Sequence, residues 1–249
     1  MQLQLIRNAT MKLSYAGKPL LTDPMLSIKG AFTSFAGKAR NPTVELAMPV
    51  KEILDGVQGV LVSHAHPDHL DKAAIEVLPK DLPLFCQPGV ESATTRKGFS
   101  NVTPVGHSLE REGITLTRTD GMHGKGFIRV ITGKVSGFVL QARGEPTVYW
   151  VGDSIWCEPV AKAIQHYQPD VIITHSGGAR FPGMKPIIMD GEQTIITAKA
   201  APDATIIAVH MESLDHCGVT RKALRQLADK EGILPGRLLI PADGETLML

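Results

Sequence analysis

The stretch SHAHPDH, residues 63–69, brings three imidazoles and one carboxylate together in one short segment. Its spacing is His-x-His-x-Asp-His, carried by His64, His66, Asp68 and His69. Imidazole nitrogens and carboxylate oxygens are the ligands that zinc and similar divalent metals prefer in proteins. The alternative, a histidine-rich surface turn, would not predict the further candidate ligands later in the chain. The segment therefore predicts a metal site.

Two predicted elements flank this segment and suggest where it lies in a fold. Residues 57–62 form a short apolar run typical of a buried strand, and residues 71–78 have helical spacing with Asp71 as a candidate cap. Mixed α/β folds carry their chemistry on loops beyond the carboxyl ends of strands. The four candidate ligands are therefore expected on a functional loop.

Strands and helices extend from this segment in both directions. Further strands are predicted at residues 2–7, 10–15, 19–23, 82–87, 114–120, 136–142, 147–151, 171–174 and 205–209. Helices are predicted at residues 158–167, 191–200 and 220–230, with Asp190 and Gln193 as a reciprocal cap and Thr220 as a cap. Residues 30–49 lack periodicity, which is compatible with a loop that covers a site or with disorder. The pattern suits two β-sheets packed face to face with helices outside.

The composition is that of an ordinary globular protein. The chain has 249 residues, 43% hydrophobic and 20% charged, without a visible linker, so a single domain over residues 1–249 is expected. A formal net charge of +1 and 5% aromatic residues give no basis for a nucleic-acid partner. No apolar run reaches membrane-spanning length, and the first residues lack a signal-peptide core. A soluble, cytoplasmic protein is expected. The three cysteines, Cys86, Cys157 and Cys217, are expected to be reduced thiols.

Three further metal-ligating side chains follow predicted strands. His123 comes after the strand that ends at residue 120, Asp153 after the apolar run 148–151, and His210 after the run 206–209. Taken singly, a strand-end aspartate is more often a turn or cap residue, and a lone histidine more often a surface or core residue. Their shared placement after β-runs favours a common site with the segment at residues 63–69.

The seven residues together resemble the ligand set of the metallo-β-lactamase superfamily, in which His-x-His-x-Asp-His is followed by separate His, Asp and His ligands. The resemblance covers nearly the whole chain and implies a four-layer αββα sandwich, an α/β fold. It further implies two metal ions, one held by His64, His66 and His123, the other by Asp68, His69 and His210, with Asp153 bridging them. Residues 8–10, 21–24 and 152–154 are similar to a narrower branch, the ascorbate-phosphate lactonases.

The resemblance also implies a reaction. A metal-bridging hydroxide would attack an electrophilic carbonyl carbon or phosphorus, while the metals polarise the substrate and stabilise the leaving oxygen. Asp68 would accept or relay a proton, or serve as a ligand alone. Zinc is the first expectation and manganese the second, because imidazoles and carboxylates accept both. The expected substrate is a small lactone, ester or phosphorylated metabolite.

Two other functions stay open on sequence grounds. A phosphodiesterase, including a phospholipase-D-like hydrolase, would use the same metal chemistry, since the ligands do not choose carbon over phosphorus. A metal-bound sensor without turnover would keep the ligands for stability. A small-molecule substrate is the expected partner of the enzyme, and a homo-oligomer is compatible with the resemblance.

Substrate-binding candidates lie in the second half of the chain. In the stretch HSGGAR, residues 175–180, the glycines would expose backbone N–H groups beside His175, and Arg180 would offer a fork for phosphate or carboxylate. An ordinary glycine turn with a solvated arginine explains the stretch equally well. His216, six residues after His210, is a candidate substrate contact or proton donor, or else a helix-entry histidine without a catalytic role.

Overall fold

The computed structural model describes residues 1–249 and contains two seven-stranded β-sheets. The elements are β1 (Gln2–Arg7), β2 (Thr10–Tyr15), β3 (Lys18–Thr22), α1 (Val50–Leu54), β4 (Gly59–Val62), α2 (Lys72–Val77), β5 (Leu84–Cys86), α3 (Glu91–Arg96), β6 (Val102–Pro104), β7 (Ser108–Arg111), β8 (Ile114–Asp120), α4 (Ile128–Thr132), β9 (Ser136–Ala142), β10 (Val148–Trp150), α5 (Glu158–Tyr167), β11 (Val171–His175), α6 (Gly191–Ala200), β12 (Thr205–Val209), α7 (Arg221–Lys230), β13 (Leu238–Leu239) and β14 (Thr246–Met248).

Each sheet is part antiparallel and part parallel. The first has the order β14-β1-β2-β3-β4-β5-β6, in which β14 to β3 pair antiparallel and β3 to β6 pair parallel. The second has the order β13-β12-β11-β10-β9-β8-β7, with β13 to β10 parallel and β10 to β7 antiparallel. Parallel strands end at the same edge of a sheet, so the loops after β4, β10, β11 and β12 can converge on one site.

Three apolar clusters define four layers. One cluster fills the space between the sheets, with side chains such as Leu13 from the first sheet and Trp150 from the second. Another packs the outer face of the second sheet against α5, α6 and α7, and includes Ile172 and Leu224. The third packs the outer face of the first sheet against α1 and α2 through residues such as Val60. The predicted αββα sandwich is confirmed.

Burial on both faces explains why several strands are apolar throughout. Successive side chains of a strand point to opposite faces. In β11, Val171 and Ile173 enter the cluster between the sheets, whereas Ile172 packs toward the helices. A continuous apolar run is the expected sequence of such a strand.

Most predicted elements occur where the sequence placed them. The bounds of β1, β2, β8, β9, β12, α5 and α6 equal the predicted ones. Asp71 caps α2 by accepting a hydrogen bond from the Ala74 backbone N–H, and Thr220 caps α7 in the same way. None of the elements absent from the prediction, α1, α3, α4, β6, β7, β13 and β14, exceeds six residues. Segments this short show little periodicity.

The predicted reciprocal cap of α6 forms at Asp190 but not at Gln193. Asp190 accepts a hydrogen bond from the Gln193 backbone N–H at 3.1 Å, as expected for the first residue of a capping box. The Gln193 side chain does not return the bond. Its Oε1 instead accepts from the Trp156 backbone N–H at 2.6 Å and ties α6 to the loop before α5.

None of the helices is long and apolar enough to cross a lipid bilayer.

Candidate metal centre

The seven predicted ligands meet at one end of the sandwich, although they are spread over residues 64–210 of the chain. The loop after β4 supplies four of them, and the segments after β8, β10 and β12 supply one each: His64, His66, Asp68, His69, His123, Asp153 and His210. All are buried except His66, which is half-buried. The structure therefore brings together the complete set.

Two overlapping groups can be distinguished by the distances between potential ligand atoms. His64, His66, His123 and Asp153 form one group, in which all such atoms lie within 4.8 Å of one another. Asp68, His69, Asp153 and His210 form the other, at the same limit. Asp153 is common to both. This is the arrangement in which two neighbouring metal ions would share one carboxylate.

The carboxylates of Asp153 and Asp68 lie at the centre of these groups. Asp153 Oδ2 is 3.2 Å from Nε2 of His69 and 3.6 Å from Nε2 of His123. Asp68 Oδ2 is 3.2 Å from Nε2 of His69 and 3.3 Å from Nε2 of His210. The Nε2 atoms of His69 and His210 are buried and make no hydrogen bond. Buried polar atoms are normally satisfied, so these two nitrogens fit metal ligands.

The electrostatics of the cluster also fit bound cations. Burial alone would raise the pKa of Asp153, yet the imidazoles of His69 and His210 hold it well below its usual range. Burial would lower the pKa of His69, but the surrounding aspartates, Asp153 first, raise it well above its usual range. The carboxylates thus require positive charge beside them, which divalent ions supply more fully than protons on imidazoles.

In His69 and His123, the ring nitrogen Nδ1 lies at hydrogen-bond distance from a neighbouring oxygen atom, which fixes the orientation of the ring. Asp23, at the end of β3, accepts from Ser63 Oγ at 2.6 Å and from the Ser63 backbone N–H at 2.7 Å, and its Oδ2 lies 2.5 Å from Nδ1 of His69. His123 Nδ1 lies 2.9 Å from the carbonyl oxygen of Ile187. Such partners select the tautomer that leaves Nε2 free for a metal.

Asp23 is a site residue that the sequence analysis did not assign. It occurred only within the stretch at residues 21–24 used for the lactonase resemblance. Because β3 and β4 are parallel neighbours, their carboxyl ends place Asp23 beside the metal-ligand loop. A signal for Asp23 was available in the sequence. The residue is polar and directly follows an apolar strand, β3, which is the neighbour of the strand that precedes the histidine segment.

His175 lies in a different place from that expected of a substrate contact. It is fully buried, its Nδ1 is 2.6 Å from Asp153 Oδ1, and its Nε2 accepts from Trp150 Nε1 at 2.9 Å. Both ring nitrogens are thus engaged inside the protein. The residue supports the Asp153 carboxylate from behind.

The glycine stretch does not form the expected anion pocket. The backbone N–H groups of Ser176, Gly178 and Arg180 donate to carbonyl groups within the fold. The Arg180 side chain is exposed, and its Nε donates to the Gly178 carbonyl at 3.3 Å. The turn packs tightly instead, since a Cβ on Gly177 would lie 2.1 Å from the His210 carbonyl oxygen. Its observed contacts support the segment that carries His210.

His216 lies at the cleft that opens onto the metal ligands. The cleft has a volume of about 160 Å³, and its lining includes His66, Asp68, His123, Asp153 and His216 on the polar side and Phe35, Ile131, Phe181 and Ile187 on the apolar side. Burial lowers the pKa of His216 to about 4, so its imidazole is neutral near pH 7. Its Nδ1 is buried without a hydrogen-bond partner. Its place in the lining of the cleft keeps His216 a candidate substrate contact.

Comparison with known families agrees with the fold and the ligand pattern. The profile of the Beta-lactamase superfamily domain matches residues 19–211, so the chain belongs to this superfamily. The curated protein UPF0173 protein YddR from Bacillus subtilis (strain 168) is 36% identical over 252 residues, covering 99% of each chain. More narrowly, the chain is a member of the UPF0173 family, in which other proteins are named metal-dependent hydrolases.

Two solved structures are similar along their whole length. A possible metal-dependent hydrolase from Veillonella parvula DSM 2008 is 36% identical with a TM-score of 0.97, covering 100% of this chain and 99% of that one. An isothiocyanate hydrolase from Delia radicum gut bacteria is 39% identical with a TM-score of 0.94, at the same coverage. The narrower resemblance to ascorbate-phosphate lactonases stays a prediction.

Proposed function

We propose that this chain is a binuclear metal-dependent hydrolase that cleaves small isothiocyanates, R–N=C=S, with an apolar substituent R. The observation that carries the proposal is the pair of overlapping ligand groups beneath a cleft with apolar walls. The 39% identity to an isothiocyanate hydrolase supports the substrate class. A lactone or ester offers a similar electrophilic carbon and is therefore the comparison substrate.

The proposal gives seven residues to two divalent ions, on the basis of the two ligand groups. His64, His66 and His123 would hold one ion, Asp68, His69 and His210 the other, and Asp153 would contribute to both. When bound, such ions lower the pKa of water to about 7 and polarise the substrate. Zinc fits these nitrogen and oxygen ligands, and manganese is the second candidate.

Protein groups around the cleft bind and orient the reactants. His175 holds the Asp153 carboxylate through the 2.6 Å contact at Oδ1. Asp68 lines the cleft, so its carboxylate is placed to accept a proton as well as to bind metal. His216 also lines the cleft, and its imidazole is neutral near pH 7. Phe35 and Phe181 exclude water from one side.

The net reaction adds one water molecule across the C=N bond. The water oxygen bonds to carbon and one of its protons goes to nitrogen. The second proton moves from oxygen to sulfur, which gives the thiocarbamic acid R–NH–C(=O)–SH. Loss of carbonyl sulfide from this acid then leaves the amine R–NH2. No oxidant or reductant is needed, which matches a site composed of imidazoles and carboxylates.

The walls of the cleft favour an uncharged substrate over a phosphorylated metabolite. Phe35, Phe181 and Ile187 offer apolar surface, and neither lysine nor arginine lines the cleft. Arg180, the arginine expected to bind phosphate, is exposed and engaged with the Gly178 carbonyl. An anionic group would therefore depend on the metal ions alone, whereas an apolar substituent gains from burial.

Hydrolysis assays on matched substrates test the proposal. The metal-loaded protein is given benzyl isothiocyanate, a benzyl ester, a lactone and a bis-aryl phosphodiester, each before and after chelation. We expect chelator-sensitive release of benzylamine from the isothiocyanate at the highest kcat/KM of the panel. Faster cleavage of the phosphodiester would instead establish the phosphodiesterase alternative.

Two aspartate variants provide the control within the chain. Asp153→Asn should abolish turnover because it removes the carboxylate common to both ligand groups. Asp190→Asn makes the same chemical change at the cap of α6, where asparagine serves equally well, and should keep full activity. Retention of chelator-sensitive turnover by Asp153→Asn would refute the role of this residue.

A further inference from the structure

One loop folds around a single carboxylate beside the cleft. Residues 32–41 are closed at their base by two hydrogen bonds between the backbones of Phe32 and Asn41, at 2.8 and 2.9 Å. Inside this loop lies the carboxylate of Asp215, which follows β12 and the ligand His210. The loop lies within residues 30–49, the segment whose sequence is compatible with a loop that covers a site or with disorder.

The Asp215 carboxylate accepts an unusual number of hydrogen bonds from that loop. Its donors are the backbone N–H groups of Phe35 at 2.9 Å, Ala36 at 3.1 Å, Lys38 at 3.2 Å and Ala39 at 3.4 Å, together with Ser34 Oγ and Asn41 Nδ2. Asn41 Oδ1 accepts in return from the Asp215 backbone N–H at 2.9 Å. Hydrogen bonds to an ionised acceptor are the stronger kind, so the loop conformation depends on this one residue.

The charge state of Asp215 suits this arrangement. Burial would raise the pKa of the carboxyl, but the hydrogen bonds from Ser34 and Asn41 hold it below its usual range. The group is therefore ionised at neutral pH. A carboxylate accepts hydrogen bonds at both of its oxygens, whereas an amide would turn an N–H donor toward some of these groups.

Aromatic rings lie where this loop meets the cleft. The ring of Phe35 packs edge-on against His216, with 4.9 Å between centroids, and the ring of Phe181 lies 6.3 Å from His216 on a separate segment. All three residues line the cleft above the metal ligands. Asp215 directly precedes His216 in the chain, and its carboxylate accepts a hydrogen bond from the backbone N–H of Phe35.

We infer that Asp215 is a positioning residue for specificity, which holds Phe35 against His216 and so completes a subsite for an aryl substituent of the substrate. The subsite comprises Phe35, Phe181 and His216. The inference rests on the proposed function, because the aryl group belongs to the isothiocyanate or ester cleaved at the metal ions. Flat, apolar rings gain from packing edge-on or offset against other rings.

Selectivity between substituents tests this inference. The kcat/KM values for benzyl and methyl isothiocyanate are measured for the wild type, Phe35→Ala, Asp215→Asn and Phe127→Ala. The last variant is the matched control, because Phe127 is 77% exposed and does not line the cleft. We expect the benzyl-to-methyl ratio to fall about tenfold in Phe35→Ala and Asp215→Asn, mainly through KM, and to stay unchanged in the control.

A merely structural role for Asp215 would give a different result. The kcat/KM of Asp215→Asn would then fall equally for both substrates. The benzyl-to-methyl ratio would stay constant, which would overturn the inference. An unchanged ratio in Phe35→Ala would also overturn it, even if Asp215→Asn failed to fold.

A binding measurement separates this inference from the proposed function. The affinity of the metal-loaded protein for benzylamine and for methylamine is measured by calorimetry, without turnover. A benzyl preference that Phe35→Ala removes supports the subsite even if neither isothiocyanate is cleaved. Equal affinities for the two amines in the wild type would contradict the subsite whatever substrate the enzyme hydrolyses.

Discussion

Replacement of Asp23 by asparagine should weaken metal binding without removing any metal ligand. The Asp23 carboxylate accepts two hydrogen bonds from Ser63, and its Oδ2 faces Nδ1 of His69. Asparagine has nearly the same shape but carries one oxygen and one NH2 group. If the NH2 group replaces Oδ2, it donates to Nδ1 of His69, and the ring proton moves to Nε2. A protonated Nε2 cannot bind a metal ion.

The opposite orientation of the amide is also unfavourable. The NH2 group then replaces Oδ1, which accepts from the Ser63 backbone N–H at 2.7 Å, and two donors face each other in a fully buried position. Loss of such a partner to a metal-bound histidine typically costs about 10- to 100-fold in metal affinity. In free energy this corresponds to about 1.4–2.7 kcal/mol.

Chelator competition on purified protein measures this affinity directly. We expect Asp23→Asn to bind zinc at the ligand group that contains His69 about 10- to 100-fold less tightly than the wild type does. Asp71→Asn is the control, because Asp71 is also buried and accepts two backbone hydrogen bonds without touching a histidine of the cluster. Equal metal affinity in the wild type and Asp23→Asn would refute the argument from the His69 tautomer.

Three further substitutions test other parts of the structure. Gly177→Ala should destabilise the fold by roughly 2 kcal/mol and loosen metal binding, since its Cβ would collide with the His210 carbonyl, whereas Gly218→Ala, with open space, should be neutral in thermal unfolding. Between pH 7 and pH 5, the free energy of unfolding of the wild type should fall by roughly 2 kcal/mol more than that of His216→Asn, as measured by urea unfolding. The reason is that the folded pKa of about 4 lies below the ordinary 6.5, so the wild type loses stability as protons bind the unfolded chain first. Arg7→Lys should cost about 3 kcal/mol in urea unfolding, because the buried guanidinium donates to three backbone carbonyls that an ammonium cannot match; a cost below about 0.5 kcal/mol would contradict this.

The sequence predicted the parts of the site that have a local signature. Chain order alone gives the spacing of the ligands in residues 63–69. It also shows that three further ligands follow apolar runs, namely His123, Asp153 and His210. Parallel strands then bring their carboxyl ends together, which is why scattered ligands meet in the structure. The same logic would have identified Asp23, since β3 is the parallel neighbour of β4.

Contacts between distant loops were beyond the reach of the sequence. The packing of residues 32–41 around Asp215 joins segments more than 170 positions apart. Nothing in the composition of either segment indicates the other. Likewise, the glycines at 177 and 178 suggested exposed amides, but the fold uses the neighbouring N–H groups internally. Both outcomes depend on tertiary packing.

The prediction of one domain over residues 1–249 stays a prediction.

The number of metal ions per chain tests most directly whether Asp153 is shared by two ions, as proposed. Protein saturated with zinc, freed of excess metal and analysed by native mass spectrometry should carry two ions per chain. Asp153→Asn should carry fewer, because both ligand groups lose the carboxylate that they share. Wild-type protein that retains at most one ion at saturation would contradict the binuclear site.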